Sequence, residues 1–275
     1  NDKSFQKYKG KINLIFTSPP FPLNRKKKYG NLNGQEYLDW ISNIAIVLKD
    51  YLAEDGSLVI EIGNSWEGKE PIMSTLPLET LLSIKNKGGY KLCQQFVWYN
   101  TAKLPSPAQW VNVERTRVKD SFTNIWWLSK TSKPKANNKN VLEEYSNSMK
   151  KLLKTKKYNS GVRPSEHDIG EKSFLKNNGG AIPSNVLIAA NTASNSVYLN
   201  KCKEKGIIPH PARMPHFLAE FFIKFLTDKN DLVLDPFAGS NTTGEVSEML
   251  KRKWIAIEID KQYIKGSKLK FTNGN

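Results

Sequence analysis

Cysteine is scarce in this 275-residue sequence, and neither a long apolar run nor a secretory signal is visible. The two cysteines, Cys93 and Cys202, form no Cys-x-x-Cys pair and no disulfide framework, which indicates a reducing compartment. No apolar stretch approaches the roughly 18 residues that a membrane span needs, and no signal peptide pattern is present. We therefore expect a cytoplasmic protein with no membrane partner.

Histidine is equally rare, with His167, His210 and His216 as the three examples. Structural and catalytic zinc sites combine histidine with cysteine or carboxylates at short, regular spacing. No such spacing surrounds these three histidines. We therefore expect no metal site.

Basic residues are abundant: 42 lysines and arginines face 26 acidic residues, for a formal net charge of +16. A globular protein of this charge usually binds a polyanion, and nucleic acid is the leading candidate for that partner. A solvated, lysine-rich surface is the alternative. The hydrophobic content of 39% is enough for a real core, in one large domain or two smaller ones.

Short apolar runs alternate with helical periodicity along most of the chain. Strands are predicted over residues 12–16, 57–62, 95–99, 122–128, 231–235 and 253–259. Helices are predicted over 34–52, 76–87, 217–226, 242–251 and 261–270, with a turn at 54–56. This rhythm predicts an α/β fold with a parallel sheet, whose core should include Trp98, Trp126 and Trp127.

A polar segment of residues 130–209 interrupts this pattern. It is rich in Lys, Asn, Ser and Gly, and it is too long for a simple loop in a compact domain. It also contains apolar anchors such as Leu187 and Tyr198. We therefore expect an ordered insert.

A glycine-containing turn, DPFAGSNTTG at residues 235–244, follows a predicted strand and opens a helix. Glycine lets the backbone approach a ligand closely, and a helix N-terminus offers free N–H groups. Glu258 ends the next apolar run, where nucleotide-binding units place an acid on ribose hydroxyls. The turn lacks both G-x-G-x-x-G and a Walker lysine, which disfavours NAD and ATP. A plain strand-to-helix turn is the alternative.

The stretch TSPPF at residues 17–21 ends the first predicted strand. Pro19 and Pro20 fix two φ angles and remove two N–H donors, so the corner is stiff and extended. The Ser18 hydroxyl and nearby carbonyls can act as preset acceptors, and Phe21 offers a flat face for a base. A rigid loop carrying a core aromatic is the alternative for this corner taken alone.

Together the two motifs resemble the DNA amino-methyltransferases, whose signature is (Asp/Asn/Ser)-Pro-Pro-(Tyr/Phe) with Phe-x-Gly. The catalytic motif precedes the cofactor motif, which is the order of the circularly permuted β class, and Ser in the first position is typical of cytosine-N4 enzymes. Further blocks are similar in the same order. These are WYN-x-x-KLPSP (98–107), NIWWLSKT (124–131), RPSEHDIG (163–170), NNGGAIP (177–183) and HPARMP (210–215).

The resemblance implies a class I methyltransferase (Rossmann-like) fold: a mostly parallel seven-stranded sheet, circularly permuted, with a smaller target-recognition insert. It implies residues 1–129 as the catalytic half, 130–209 as the DNA-reading region and 210–275 as the cofactor-binding half. Since the sequence begins with Asn1 rather than Met, we expect a preceding segment that completes the cofactor pocket.

The activity implied is transfer of a methyl group from S-adenosylmethionine to N4 of a flipped-out cytosine in a short duplex site such as CAGCTG. Such an enzyme is the modification arm of a bacterial restriction-modification system. Double-stranded DNA is then the partner, a cognate restriction endonuclease acts on the same site, and the protein is a monomer or weak dimer. An adenine-N6 enzyme and an inactive DNA-binding relative stay open. Cytosine-C5 chemistry needs a Pro-Cys nucleophile, which neither cysteine provides.

The site residues follow from the same resemblance. The catalytic set is Ser18, Pro19, Pro20 and Phe21. The cofactor-binding set is Asp235, Phe237, Ala238, Gly239, Ser240, Asn241, Thr242, Thr243, Glu258, His210 and Pro211. The DNA-binding set is Arg25, Lys26, Lys27, Lys28, Lys103, Arg163 and His167.

Overall fold

The computed structural model describes residues 3–21, 32, 34–68, 70–171, 173–192 and 196–271. The chain forms two compact units, one of residues 1–136 with 185–275 and one of residues 137–184. Among the described residues, none of the helices has the length and apolar character needed to cross a membrane. Cys93 and Cys202 are free thiols, as their spacing predicts.

The regular elements are numbered in chain order. The strands are β1 Ile12–Thr17, β2 Leu52–Gly63, β3 Lys91–Tyr99, β4 Phe122–Ser129, β5 Gly161–Val162, β6 Asp168–Ile169, β7 Val186–Ile188, β8 Leu232–Asp235 and β9 Lys253–Ala256. The α-helices are α1 Gly34–Tyr51, α2 Leu76–Lys87, α3 Asn147–Thr155, α4 Ser196–Glu204, α5 His216–Leu226, α6 Thr242–Met249 and α7 Lys261–Lys268.

The larger unit is built on a seven-stranded sheet in the order β7-β3-β4-β2-β1-β8-β9. Strand β1 runs parallel to both β2 and β8, β9 runs parallel to β8, and β7 runs parallel to β3. Strand β4 is antiparallel to both of its neighbours, β2 and β3. The mostly parallel sheet predicted from the sequence is thereby confirmed.

Helices cover both faces of this sheet. On one face, α1 and α2 pack apolar side chains such as Ile41 and Ile84 against β2 and β4. On the other face, Phe222 of α5 lies 5.3 Å from Phe16 and 5.1 Å from Phe96, measured between ring centroids. Four residues of β1, from Ile12 to Phe16, are fully buried, because a central parallel strand is covered on both sides.

The strand directions create one functional edge. The carboxyl ends of β1, β2, β3, β8 and β9 and the amino end of β4 all meet there, since six strands run one way and β4 runs the other. We call this the carboxyl edge. Ligands of open α/β sheets bind at such an edge.

The smaller unit, residues 137–184, lies inside the segment predicted as an insert. It contains α3 and the two-stranded antiparallel ribbon of β5 and β6. The unit is tied by paired backbone hydrogen bonds between Glu143 and Ala181, both 2.9 Å. Residues 185–209, also within the predicted insert, belong to the larger unit instead. The ordered insert is thus narrower than the polar composition indicates.

Several predicted boundaries differ from the structure. The turn predicted at 54–56 lies within β2, where the register shifts from Ile12 opposite Leu52 to Leu14 opposite Ser57. The extra residues form a bulge, so the strand continues past them. Strand β9 ends at Ala256, which leaves Glu258 beyond the strand. Trp98, Trp126 and Trp127 are buried core residues, as predicted.

Candidate active site

The Ser-Pro-Pro-Phe corner follows β1 directly and is held by a hydrogen bond from α1 and by packing against β2. The Tyr37 hydroxyl of α1 donates a hydrogen bond of 3.0 Å to the Pro20 carbonyl. Tyr37 is 1% exposed, and its burial raises the pKa of the phenol. A Cβ atom on Gly63 would stand 2.6 Å from the Phe21 ring, so only glycine at the end of β2 leaves room for this aromatic.

A carboxylic acid lies against the Ser18 hydroxyl. Glu61 of β2 is 5% exposed and is hydrogen-bonded to Ser18. Burial raises the pKa of Glu61 to about 7, while the bond from Ser18 and the charge of Lys103 act in the opposite direction. The group can therefore hold or release a proton near neutral pH. Glu61 gives no functional signal in the sequence, because it stands within an apolar strand pattern.

Lys103 is engaged within the protein. Its ammonium lies 2.8 Å from Asp120 Oδ2 and donates a 3.3 Å hydrogen bond to the Phe122 carbonyl. Asn64 donates a 2.8 Å hydrogen bond to the other carboxylate oxygen of Asp120. Lys103, predicted to bind DNA, is thus held by Asp120 and the Phe122 carbonyl, and its charge opposes the rise that burial causes in the pKa of the nearby Glu61.

The glycine-containing turn is organised around Asp235, which ends β8 and is 5% exposed. Its Oδ1 accepts hydrogen bonds from Thr17 Oγ1 at 2.7 Å and from Phe237 N at 3.1 Å. Its Oδ2 accepts from Thr243 Oγ1 at 2.8 Å. Burial nevertheless raises the pKa of Asp235 to about 6. This carboxyl joins the end of β1 to the turn and to the first turn of α6.

The backbone of the turn takes two left-handed conformations. Gly239 has φ +52°, and a Cβ there would lie 3.2 Å from the His210 ring. Asn241 has φ 56°, and its side chain caps α6 by accepting from Gly244 N at 3.0 Å. Glu258 accepts from Gly239 N and from Asp260 N, both at 2.8 Å. Glycine at 239 is therefore favoured both by its left-handed φ and by the close His210 ring.

The remaining predicted cofactor residues lie in this turn or next to it. Ala238, Ser240 and Thr242 are buried, and Phe237 packs on Trp40 with ring centroids 5.6 Å apart. His210 packs edge-on against Tyr263, and Pro211, which follows it, is exposed.

A charged cluster stands behind the turn. Glu245 of α6 lies 2.8 Å from His216 Nε2 and 2.9 Å from the Lys270 ammonium. Arg213 donates a 2.6 Å hydrogen bond to the His210 carbonyl, whereas its buried Nε has no partner among the described residues. Within the described part of the chain, no group of three His, Cys, Asp or Glu residues could hold a metal ion.

The other residues predicted to contact DNA lie in two places along the chain. Arg163 and His167 flank the tip of the β5–β6 ribbon in the smaller unit, joined by a 2.9 Å backbone hydrogen bond from Arg163 N to His167 O. Arg25, Lys26, Lys27 and Lys28 lie outside the described residues. Their role stays a prediction.

An α/β sheet with a Ser-Pro-Pro-Phe corner beside a glycine-containing turn defines a class of nucleic-acid-modifying enzymes. The family model described as DNA methylase, N6_N4_Mtase, matches residues 12–269. The chain belongs to this family of DNA methylases.

Individual relatives refine the comparison. The Type II methyltransferase M.PvuII of Proteus hauseri is 47% identical over 266 residues, covering 96% of this chain and 79% of that protein. The solved structure of the PvuII DNA methyltransferase (cytosine-N4-specific) has a TM-score of 0.78 at 39% identity, covering 97% of this chain and 82% of that one. The DNA adenine methyltransferase YhdJ of Escherichia coli (strain K12) is 48% identical over 56 residues, 20% of this chain and 19% of that protein.

Proposed function

We propose that this chain transfers a methyl group from S-adenosylmethionine to the exocyclic N4 of a cytosine in duplex DNA. The observation that carries the proposal is the 2.7 Å hydrogen bond between Thr17 and Asp235, because it sets the Ser-Pro-Pro-Phe corner directly beside the turn. Similarity to a cytosine-N4-specific enzyme over nearly the whole chain supports the choice of base.

The residues around the turn fit S-adenosylmethionine. The lack of a side chain at Gly239 lets the His210 ring lie close to the turn, and the Glu258 carboxylate can accept from ribose hydroxyls. Ile259, next in the chain, is 95% exposed and offers an apolar face to an adenine ring. The Arg213 Nε, which has no hydrogen-bond partner in the described part of the chain, suits a ligand carboxylate. When bound, the cofactor supplies an electrophilic methyl group on a sulfonium.

Ser18 and its neighbours would orient and activate the N4 amine of the cytosine. The N4 lone pair of cytosine is conjugated into the ring, so the amine is a weak nucleophile. Ser18 Oγ and the Pro19 carbonyl would accept hydrogen bonds from its two N–H groups and direct its lone pair out of the ring plane. Because the Ser18 hydroxyl donates to Glu61, the lone pairs of Oγ stay available for the amine. These acceptors also stabilise the positive charge that develops on nitrogen.

Methylation leaves the nitrogen with one proton too many. We assign Glu61 as the group that takes this proton through the Ser18 hydroxyl, since its pKa lies at about 7. The Phe21 ring, seated on Gly63, is the stacking face for the cytosine, which must leave the duplex to reach Ser18. The Pro20–Tyr37 hydrogen bond keeps this corner in place.

The finer parts of the proposal concern the DNA site and its context. The smaller unit within residues 130–209 would read base edges through Arg163 and His167, and residues 25–28 would contact the backbone. A CAGCTG-like site, a restriction endonuclease that cuts it and a monomer or weak dimer follow from the resemblance to this branch of the family.

Methyl transfer from tritiated S-adenosylmethionine to a CAGCTG duplex tests the function. Digestion of the product to nucleosides should yield N4-methyldeoxycytidine as the labelled species. A duplex already methylated at the target cytosines is the control and should accept no label. Label in N6-methyldeoxyadenosine would instead identify an adenine enzyme, and no transfer to any DNA would identify an inactive relative.

A further inference from the structure

The segment between β3 and β4, residues 100–121, occupies the carboxyl edge. It leaves β3 at Tyr99 and enters β4 at Phe122, the two strand ends that meet at this edge. We call it the β3–β4 loop. It lies close to the Ser-Pro-Pro-Phe corner, because Asp120 is bonded to Asn64 and the preceding residue, Gly63, contacts Phe21.

The β3–β4 loop is firmly held. Besides its contacts with Lys103 and Asn64, Asp120 donates its backbone N–H to the Ser106 carbonyl at 2.9 Å. The Trp110 carbonyl accepts a 2.8 Å bond from Thr116 N, and its ring is buried against Trp66, with centroids 5.9 Å apart. These contacts fix the loop without using its outer side chains.

The exposed side chains of the loop include basic and apolar groups beside one acid, Glu114, whose carboxylate accepts a 3.0 Å hydrogen bond from Gln109. Arg115 and Lys119 are exposed and make no side-chain hydrogen bond or ion pair with any residue that the structure describes. Leu104 is 81% exposed and Val118 is 87% exposed. Arg117 differs, because its Nε donates to the Pro71 carbonyl at 3.2 Å and so joins this loop to the one after β2.

We propose that the β3–β4 loop grips the sugar-phosphate backbone of the DNA duplex beside the target nucleotide, with Arg115 and Lys119 as phosphate ligands. Its place on the edge that carries Ser18 requires any duplex offering a base to that corner to pass near the loop. Arg115 and Lys119 have no side-chain partner among the described residues and stand on a fixed backbone, so they suit phosphates. The neighbouring apolar tips can cover sugars. The inference rests on the proposed function, since it takes DNA as the substrate.

Equilibrium DNA binding at several salt concentrations tests these phosphate contacts. The R115A/K119A variant is compared with wild type for binding a fluorescent CAGCTG duplex and a scrambled duplex between about 50 and 200 mM salt. Each lost phosphate contact should reduce the slope of log affinity against log salt by about 1, hence by about 2 for the pair. The loss in affinity should be the same for both duplexes, because phosphates carry no sequence information.

A matched variant separates local contacts from net charge. K85A/K91A removes the same charge from two exposed lysines at the other edge, where α2 ends and β3 begins. This variant should keep the wild-type salt slope. R115K/K119R should also keep most of the slope, because both cations are retained.

Equal slopes for R115A/K119A and K85A/K91A would overturn the inference, as would a wild-type protein that binds no duplex. Formation of N4-methylcytosine by the wild-type protein is scored separately. If the wild-type protein methylates DNA but R115A/K119A keeps the wild-type salt slope, the inferred phosphate contacts are wrong and the proposed function still holds.

Discussion

The corner at residues 18–21 and the turn at residues 235–244 lie side by side on adjacent strands, yet they are made rigid in different ways. The turn is stabilised by hydrogen bonds to its own backbone and side chains, including those of Asp235, Asn241 and Glu258. The corner has two prolines, which have no N–H to donate, and it is held from outside, by the Tyr37 hydroxyl of α1 and by packing of Phe21 on Gly63 of β2.

This difference separates two tasks. We expect the turn, which leads into the N-terminus of α6, to serve cofactor binding. We expect the corner, whose Ser18 is hydrogen-bonded to Glu61, to serve proton transfer. Substitutions in the two regions should therefore differ in their effects on turnover and on cofactor affinity, and the following five predictions run from the largest effect to the smallest.

Ser18→Ala should abolish most methyl transfer. Loss of one preorganised group that stabilises developing charge costs roughly 100- to 1,000-fold in turnover, and the corner offers no other hydroxyl at that position. Cofactor affinity, measured by calorimetry, should stay within about twofold of wild type. A large loss of cofactor affinity in this variant would show that the corner also serves binding.

Glu61→Gln should remove the pH dependence of turnover near neutrality. Wild-type turnover should rise as the pH passes about 7, where Glu61 ionises, whereas the Gln variant should be at least about tenfold slower and flat across this range. Steady-state rates between pH 5.5 and 8.5 check this. Retention of the wild-type profile by the variant would move the titrating group elsewhere.

Glu61→Gln should also reduce the pH dependence of the free energy of unfolding, which falls with rising pH whereas wild-type turnover rises. The Glu61 pKa is raised from 4.5 to about 7 on folding, so the folded state holds more protons between these values. Stability is therefore lost as pH rises through this window, by about 3 kcal/mol for a shift of this size. Urea unfolding at pH 5 and pH 8 should show a smaller loss for Glu61→Gln than for wild type.

Gly239→Ala should weaken cofactor binding and spare turnover at saturation. A left-handed conformation costs an L-residue about 1–2 kcal/mol, and the added Cβ would also press on His210 at 3.2 Å. We expect roughly a tenfold rise in the cofactor Kd. Gly206, which also has positive φ but has open space around it, provides the matched control. A turnover loss without a change in Kd would remove the distinction between turn and corner.

Both motifs could be predicted from the sequence because their physics is local. Pro19, Pro20 and Gly239 restrict or free the backbone wherever they occur, and Asp235 precedes its turn directly. The role of Glu61 could not be predicted from the sequence. Its pKa depends on burial among strands and on Ser18, 43 positions earlier in the chain. The contact between Lys103 and Asp120 and the reversal of β4 depend likewise on long-range pairing.

The hydrogen bond from Thr17 to Asp235 bridges the two regions, and its removal should have the smallest and most specific effect. Thr17→Val removes the hydroxyl that donates to Asp235 and should cost about 1–3 kcal/mol in stability, since a buried carboxyl loses one of three donors. Turnover should fall several-fold, because Ser18 is the next residue, while the cofactor Kd changes less. Thr80→Val is the control: its buried hydroxyl donates to the Leu76 carbonyl within α2. If Thr17→Val and Thr80→Val gave the same turnover, the corner and the turn would be aligned by sheet pairing alone, and the bridge would serve stability only.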